Sequence, residues 1–304
     1  MQDTDFGVEH QDPGERTAAE QTPASWDGQA AMPRQHAQGV IWRGFDSPDL
    51  GNWDNYQVQD DETGGNIQNR SPLAAKRMVV KPVEDLTHRH YAELYNFYVH
   101  VTVNPCHTGV SRSELIHRPA RGTAEGTQYY YRWSTWFPRD LNRHIDFPMG
   151  PGIGGVWQVI TQWHQASDSG SPPLALSAKS NKNKQDEPYI GLELSSRSEP
   201  VVWKTPLIYN AWHNFVLFVR YSNSVSDAPG KGGKVKLWYS MDMALPQPVT
   251  PFLSVKTTAA PDVTKGPYLK HGLYRSKDYY GPLVSHIVHC GIVEGDSLDA
   301  VLTP

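Results

Sequence analysis

From about Tyr91 to the C-terminus, apolar and polar residues tend to alternate in short runs separated by Gly, Pro, Asn and Asp. A period of two is the signature of strands with one face on a core and one on solvent. The runs AELYNFYVHVTV (92–103), SRSELIHR (111–118), TQYYYRWSTWF (127–137) and GVWQVITQWHQ (155–165) each predict a strand. PYIGLELSS (188–196), NFVLFVRYS (214–222), KVKLWYSMD (234–242) and YLKHGLYRS (268–276) predict four more. They are rich in aromatic and β-branched residues, which suit a pleated, half-buried surface. No amphipathic helix of any length is visible. Many short strands without intervening helices predict an all-β fold, a sandwich of two antiparallel sheets. The stretches 166–187 and 221–234 read as connections, the first long and polar, the second a hairpin tip.

Residues 1–36 lack this pattern. They are polar and rich in Gly, Pro, Ala and Gln, and read as a flexible arm ahead of a single domain over 37–304. The segment after Met1 has no apolar core of a secretory signal, and no run approaches the length of a membrane span.

Composition narrows the chemistry. The 304-residue chain has a formal net charge of -4, which gives no reason to expect nucleic acid. Its 15 Tyr and 10 Trp suit a ring-lined groove. Two cysteines, Cys106 and Cys290, allow one disulfide or two free thiols and exclude a zinc cluster built of cysteine. There is no phosphate-binding glycine loop and no Gly-x-Ser-x-Gly elbow. His88 and His90 pair only if they lie on a strand, and a third metal ligand is not evident. Asp46, Asp49 and Asp54 are candidates for a structural calcium ion.

Three strands carry polar residues on one face. In 111–118, Arg112 and Glu114 share a side, either as a structural ion pair or with Glu114 orienting Arg112 toward an anion. In TQWHQ, Gln162 and His164 share a side, with Trp163 turned into the core. Gln162 can hydrogen-bond a carboxyl oxygen, and His164 can serve as a base near neutral pH. In YLKHGLY, Tyr268, Lys270 and Tyr274 share a side, and Gly272 permits close approach. Positive neighbours would lower the Tyr274 pKa from its ordinary value near 10. Along 127–137, Tyr131 and Trp133 share one face and Arg132 and Trp136 the other; either face could line a groove.

Taken together, Arg112-Ser113-Glu114-Leu115, Gln162-Trp163-His164 and Tyr268-Leu269-Lys270-His271-Gly272-Leu273-Tyr274 resemble, in order, the three signature strands of the jelly-roll polysaccharide lyases. That group includes alginate lyases, glucuronan lyases and the heparin lyase I group. Ile116 stands where the alginate pattern has a second arginine, and Trp163 where it has a small aliphatic residue, so β-1,4-glucuronan is the first expected substrate, ahead of alginate or heparin. The resemblance implies a concanavalin-like jelly roll that cleaves a polyuronate by β-elimination. In that scheme Arg112 and Gln162 neutralise the C5 carboxylate and Tyr274 protonates O4. The C5 proton goes to Tyr274 or to His164. Lys270, Glu114, Tyr268, Arg132 and Trp133 are the expected substrate contacts. No cofactor is required for this chemistry. The expected partner is an anionic polysaccharide, the expected state a monomer and the expected location secreted or periplasmic. A non-catalytic carbohydrate-binding jelly roll is the first rival. A glycoside hydrolase using Glu193 and Glu114 is the second, and a structural protein the third.

Overall fold

The computed structural model describes residues 38–60, 65–68, 71–82, 97–104, 110–140, 145–149, 157–165, 171–180, 187–258, 266–275 and 283–302. The expected N-terminal arm, His88, His90 and Cys106 lie outside them. Two antiparallel sheets form a sandwich, as the alternating pattern predicts.

One sheet, the site sheet, contains β2 (Asn55–Gln59), β3 (Asn66–Gln68), β6 (Ser111–His117), β10 (Trp157–His164), β11 (Leu174–Lys179), β12 (Tyr189–Leu194), β13 (Val201–Pro206) and β18 (Tyr268–Arg275). Its order is β13-β12-β11-β10-β18-β6-β2-β3. The other sheet is built on β16 (Gln247–Pro248), β15 (Lys234–Met241), β14 (Trp212–Arg220), β7 (Gln128–Trp136), β19 (Ser285–Gly295), β5 (Phe97–Val103) and β4 (Met78–Pro82), in that order. In it β1 (Val40–Arg43) also pairs with β19, and β17 (Leu253–Ser254) with β15. A small hairpin of β8 (Arg139–Asp140) and β9 (Ile145–Asp146) stands apart. The helices are short: α1 (Pro72–Arg77), capped by the Ser71 hydroxyl on the Ala74 amide, and α2 (Leu298–Leu302). No described helix is long and apolar enough to cross a membrane.

The core follows from alternation. Tyr129, Tyr131 and Trp133 of β7 and Phe215, Leu217 and Val219 of β14 point inward, toward Trp163, Leu269 and Leu273 of the site sheet. Trp163 meets Tyr131 at 5.3 Å and Trp133 at 6.1 Å between ring centroids. Burial of each large apolar side chain stabilises the fold by about 1.5–3 kcal/mol. A polar tie also crosses the interior: His117 of β6 stands 3.2 Å from Glu294 of β19 and 3.4 Å from Asp54. Burial disfavours its charged form, but the hydrogen bonds to Asp54 and Glu294 outweigh that and raise its pKa.

Residues 166–187, expected to be one long connection, contain strand β11, which pairs with β10 and β12 inside the site sheet. Two of its groove-facing positions, Ala175 and Ser177, are small and lack the large alternating pattern of the other strands; the third is Lys179. Strand β19, not anticipated, carries His, Cys and Gly among its apolar residues. Cys290 within it is a free, buried thiol.

Two irregularities shape the site sheet. Ile160 and Thr161 of β10 are consecutive buried residues at a register shift, so Trp157 and Val159 before them and Gln162 and His164 after them line the same groove. Across from that step, β18 spends one extra residue: Val159 pairs with Tyr274 but Thr161 with His271. Gly272 lies within the step, with φ of +151°. A Cβ there would collide with the Ser113 carbonyl oxygen and stand 3.0 Å from the Glu114 Cα. Gly272→Ala is therefore expected to destabilise the fold by about 1–3 kcal/mol, read as a lower midpoint in urea denaturation; an unchanged midpoint would contradict the stated crowding.

Candidate active site

The outer face of β6, β18, β10, β11 and β12 floors a cavity of about 690 Å³. Arg112, Trp157, Gln162, His164, Ala175, Ser177 and Tyr274 line it, as do Lys179, Glu193 and Arg197. The small residues of β11 leave the space; the flanking strands supply the chemistry.

Glu114 organises the centre. It is 2% exposed, and one carboxylate oxygen accepts a hydrogen bond from the Gln162 side-chain amide. The other lies 3.6 Å from the Lys270 ammonium and 3.8 Å from the Arg112 guanidinium. Because a carboxylate only accepts, the Gln162 amide nitrogen must face Glu114, which leaves its second N–H for another acceptor. Lys270 also donates to the Gln57 side-chain oxygen. Burial lowers the Lys270 pKa and Glu114 opposes that shift. Glu114 and Lys270 were expected to touch substrate; both are instead buried and neither lines the cavity, where Arg112 and Gln162 stand against Glu114. Gln57 had no signal in the sequence, since a lone Gln on a short strand resembles any polar position.

Tyr274 stands beside this cluster. The Arg112 guanidinium carbon lies 4.2 Å from its ring centroid, and Trp157 packs edge-on at 5.0 Å. Burial raises the Tyr274 pKa; Arg112 pulls it back only in part, and Glu114 adds to the rise. The lowered value expected from its positive neighbours is thus overturned by desolvation, and the group is a phenol at neutral pH.

His164 is half-buried. Its Nδ1 lies 2.6 Å from the Gln165 carbonyl oxygen and 3.3 Å from the Tyr268 hydroxyl. A carbonyl accepts only, so Nδ1 carries the proton and Nε2 keeps the lone pair. Burial, then Lys270, lowers the His164 pKa, so the ring is neutral near pH 7. Tyr268 is a neighbour of this imidazole and also lies under Arg118, whose guanidinium carbon is 5.5 Å from its ring centroid.

Two expected contacts are elsewhere. Arg132 belongs to the other sheet, where its guanidinium donates to the carbonyls of Val301 and Leu302 at 3.1 and 3.0 Å. Trp133 is 1% exposed between the sheets, stacked on Phe215. Alternation correctly separates these two residues onto opposite faces, but both faces of that strand are turned away from the groove. Two of the three calcium candidates have protein partners: Asp49 accepts from Ser47 and the Gly51 amide, and Asp54 binds His117 and the Arg118 amide. Among the described residues no three His, Cys, Asp or Glu side chains group to hold a metal ion.

No curated protein matches the chain. Among solved structures, the catalytic domain of a GH131 β-glucanase from Podospora anserina superposes with a TM-score of 0.54 at 14% identity, covering 82% of this chain and 88% of that one. The catalytic domain of a glycoside hydrolase family 131 protein from Coprinopsis cinerea gives 0.53 at 15% identity, with coverages of 86% and 95%. A marine PL-14 alginate lyase from Aplysia kurodai gives 0.50 at 10% identity, with coverages of 85% and 99%. At these identities the likeness establishes the shared fold. The family profile described as polysaccharide lyase matches residues 47–290, most of the chain, and the protein therefore belongs to the polysaccharide lyase family.

Proposed function

We propose that this lyase cleaves a 4-linked polyuronate by β-elimination, with alginate favoured over glucuronan as the polymer. The observation that carries the reading is the convergence of Arg112, Gln162, His164 and Tyr274 on one groove. Alginate and glucuronan both present a carboxylate on C5 and a leaving oxygen on C4, so the same four groups serve either. The fold likeness to the Aplysia alginate lyase supports alginate, whereas glucuronan rests on the sequence resemblance alone.

In this scheme the substrate carboxylate sits against Arg112 and the free N–H of Gln162, which disperse the charge that builds as C5 loses its proton. His164 Nε2 takes that proton. The electron pair forms the C4–C5 double bond, the C4–O4 bond breaks, and the Tyr274 hydroxyl protonates O4. Imidazolium and phenolate then exchange protons with solvent. Opposite pKa shifts support this division: His164 is held neutral and Tyr274 protonated at the same pH. A polymer of this kind is met outside the cell, which agrees with a secreted or periplasmic location.

The hydrolase reading requires two carboxylates flanking the scissile bond. Among the described lining residues Glu193 is the only carboxylate, and it is paired with Lys179 at 2.6 Å. Glu114 is buried, hydrogen-bonded to Gln162 and ion-paired with Lys270 and Arg112, and does not line the cavity.

Incubation with alginate is expected to raise ultraviolet absorbance from the unsaturated uronate, and Tyr274→Phe to lower kcat about 10²–10⁴-fold with the thermal midpoint retained; equal activity in the variant would remove Tyr274 as the acid. Glu193→Gln is expected to keep cleaving the chain, where a hydrolase depending on that carboxylate would stop. The pH profile of kcat/KM should rise on an acid limb below 6.5, as His164 loses its proton, and fall on an alkaline limb above 10, as Tyr274 ionises. An acid limb above 6.5, measured by initial rates, would contradict the neutral-imidazole assignment.

A further inference from the structure

Beneath the groove floor, between the sheets, His271 of β18 and His289 of β19 lie with ring centroids 4.0 Å apart. Both are wholly buried, and the proton transfers above use neither. His289 Nε2 is 3.0 Å from the Gly272 carbonyl oxygen. That oxygen can only accept, so Nε2 carries the proton and Nδ1 accepts from the Thr135 hydroxyl at 3.1 Å. Both nitrogens are satisfied, the tautomer is fixed, and burial holds the ring neutral, its pKa lowered to about 3. His271 Nδ1 lies 2.9 Å from the Thr161 hydroxyl. The two rings therefore reach both sides of the step between β10 and β18: Thr161 on β10 and the Gly272 peptide on β18.

Gly272 has no side chain to pack, so its peptide is held through its backbone. On the groove side it separates Lys270, which meets Gln162 and Glu114, from Tyr274, which meets Val159 and Arg112. A turn of the 272–273 peptide would change the spacing between the ammonium and the phenol. We propose that His289, from the opposite sheet, is a positioning residue for the lyase site: its hydrogen bond to the Gly272 carbonyl fixes the β18 step and so the placement of Tyr274 relative to Lys270 and Gln162. An apolar side chain of the same size would fill the space but would not fix the peptide. The inference rests on the functional reading above for its kinetic consequence, but not for its structural one.

The test compares wild type, His289→Leu and His289→Gln on alginate, together with amide hydrogen exchange over residues 268–275. Leucine fills the space without a donor; glutamine can donate to the same carbonyl. The expected result is a kcat lowered on the order of 10²-fold in the leucine variant at nearly constant KM, with much of it recovered in the glutamine variant. Faster exchange confined to 268–275 is expected in the leucine variant alone. Equal kcat in all three proteins, or losses that track the thermal midpoint and ignore glutamine, would overturn the proposal. If His289→Leu does not fold, Thr135→Val removes the hydroxyl on Nδ1 and is expected to lower kcat at constant KM; an unchanged kcat overturns the proposal. A wild type that cleaves no polyuronate would defeat the functional reading, and the exchange measurement would then decide the positioning claim by itself: unchanged protection over 268–275 overturns it.

Discussion

A single buried carboxylate sets the chemistry of the groove. Glu114 gathers the Gln162 amide, the Lys270 ammonium and the Arg112 guanidinium from three neighbouring strands. Two cations against one anion leave surplus positive charge beside the cavity. A buried carboxylate without such partners would be costly, and so would the buried Lys270 ammonium without the carboxylate. The arrangement therefore specifies itself: each charge is tolerable only with the others in place. It also aims the Gln162 amide nitrogen, because the carboxylate can only accept.

The same physics separates acid from base. Burial opposes charge, so it drives a phenol up and an imidazole down. Tyr274 and His164 line one cavity under that influence and end on opposite sides of neutrality. No special tyrosine chemistry is needed for a proton donor, and the Gln165 carbonyl makes His164 present Nε2 as its basic nitrogen. The architecture alone does not decide this function, since a β-glucanase and another glycoside hydrolase family 131 protein share it. What distinguishes the reading is the groove's inventory among the described residues: one carboxylate, already paired, with Arg112, Gln162, His164 and Tyr274 along the same floor.

Much of this was legible in the sequence. Strong alternation located β6, β7, β10, β12, β14, β15 and β18, and period two placed Gln162 with His164 and Arg112 with Glu114 on shared faces. Strand β11 escaped because Ala175 and Ser177, two of its groove-facing residues, are small. Arg132 and Trp133 were misplaced because alternation sorts residues into two faces without saying which sheet they belong to or what covers each face. The sequence could not reveal the steps at Ile160–Thr161 and Gly272 either, since they arise from pairing between distant strands. The direction of the Tyr274 shift required knowing its burial as well as its neighbours. The family resemblance reached the lyase class; the choice among polymers exceeded what the motif residues encode.

The central claim is that the groove breaks its polymer by elimination. Cleavage in heavy-oxygen water followed by mass spectrometry of the fragments tests it most directly. Elimination predicts unsaturated fragments whose newly formed ends carry no heavy oxygen fixed by bond cleavage. Saturated fragments with heavy oxygen incorporated at each new reducing end, beyond the exchange seen in uncut oligosaccharide, would contradict it.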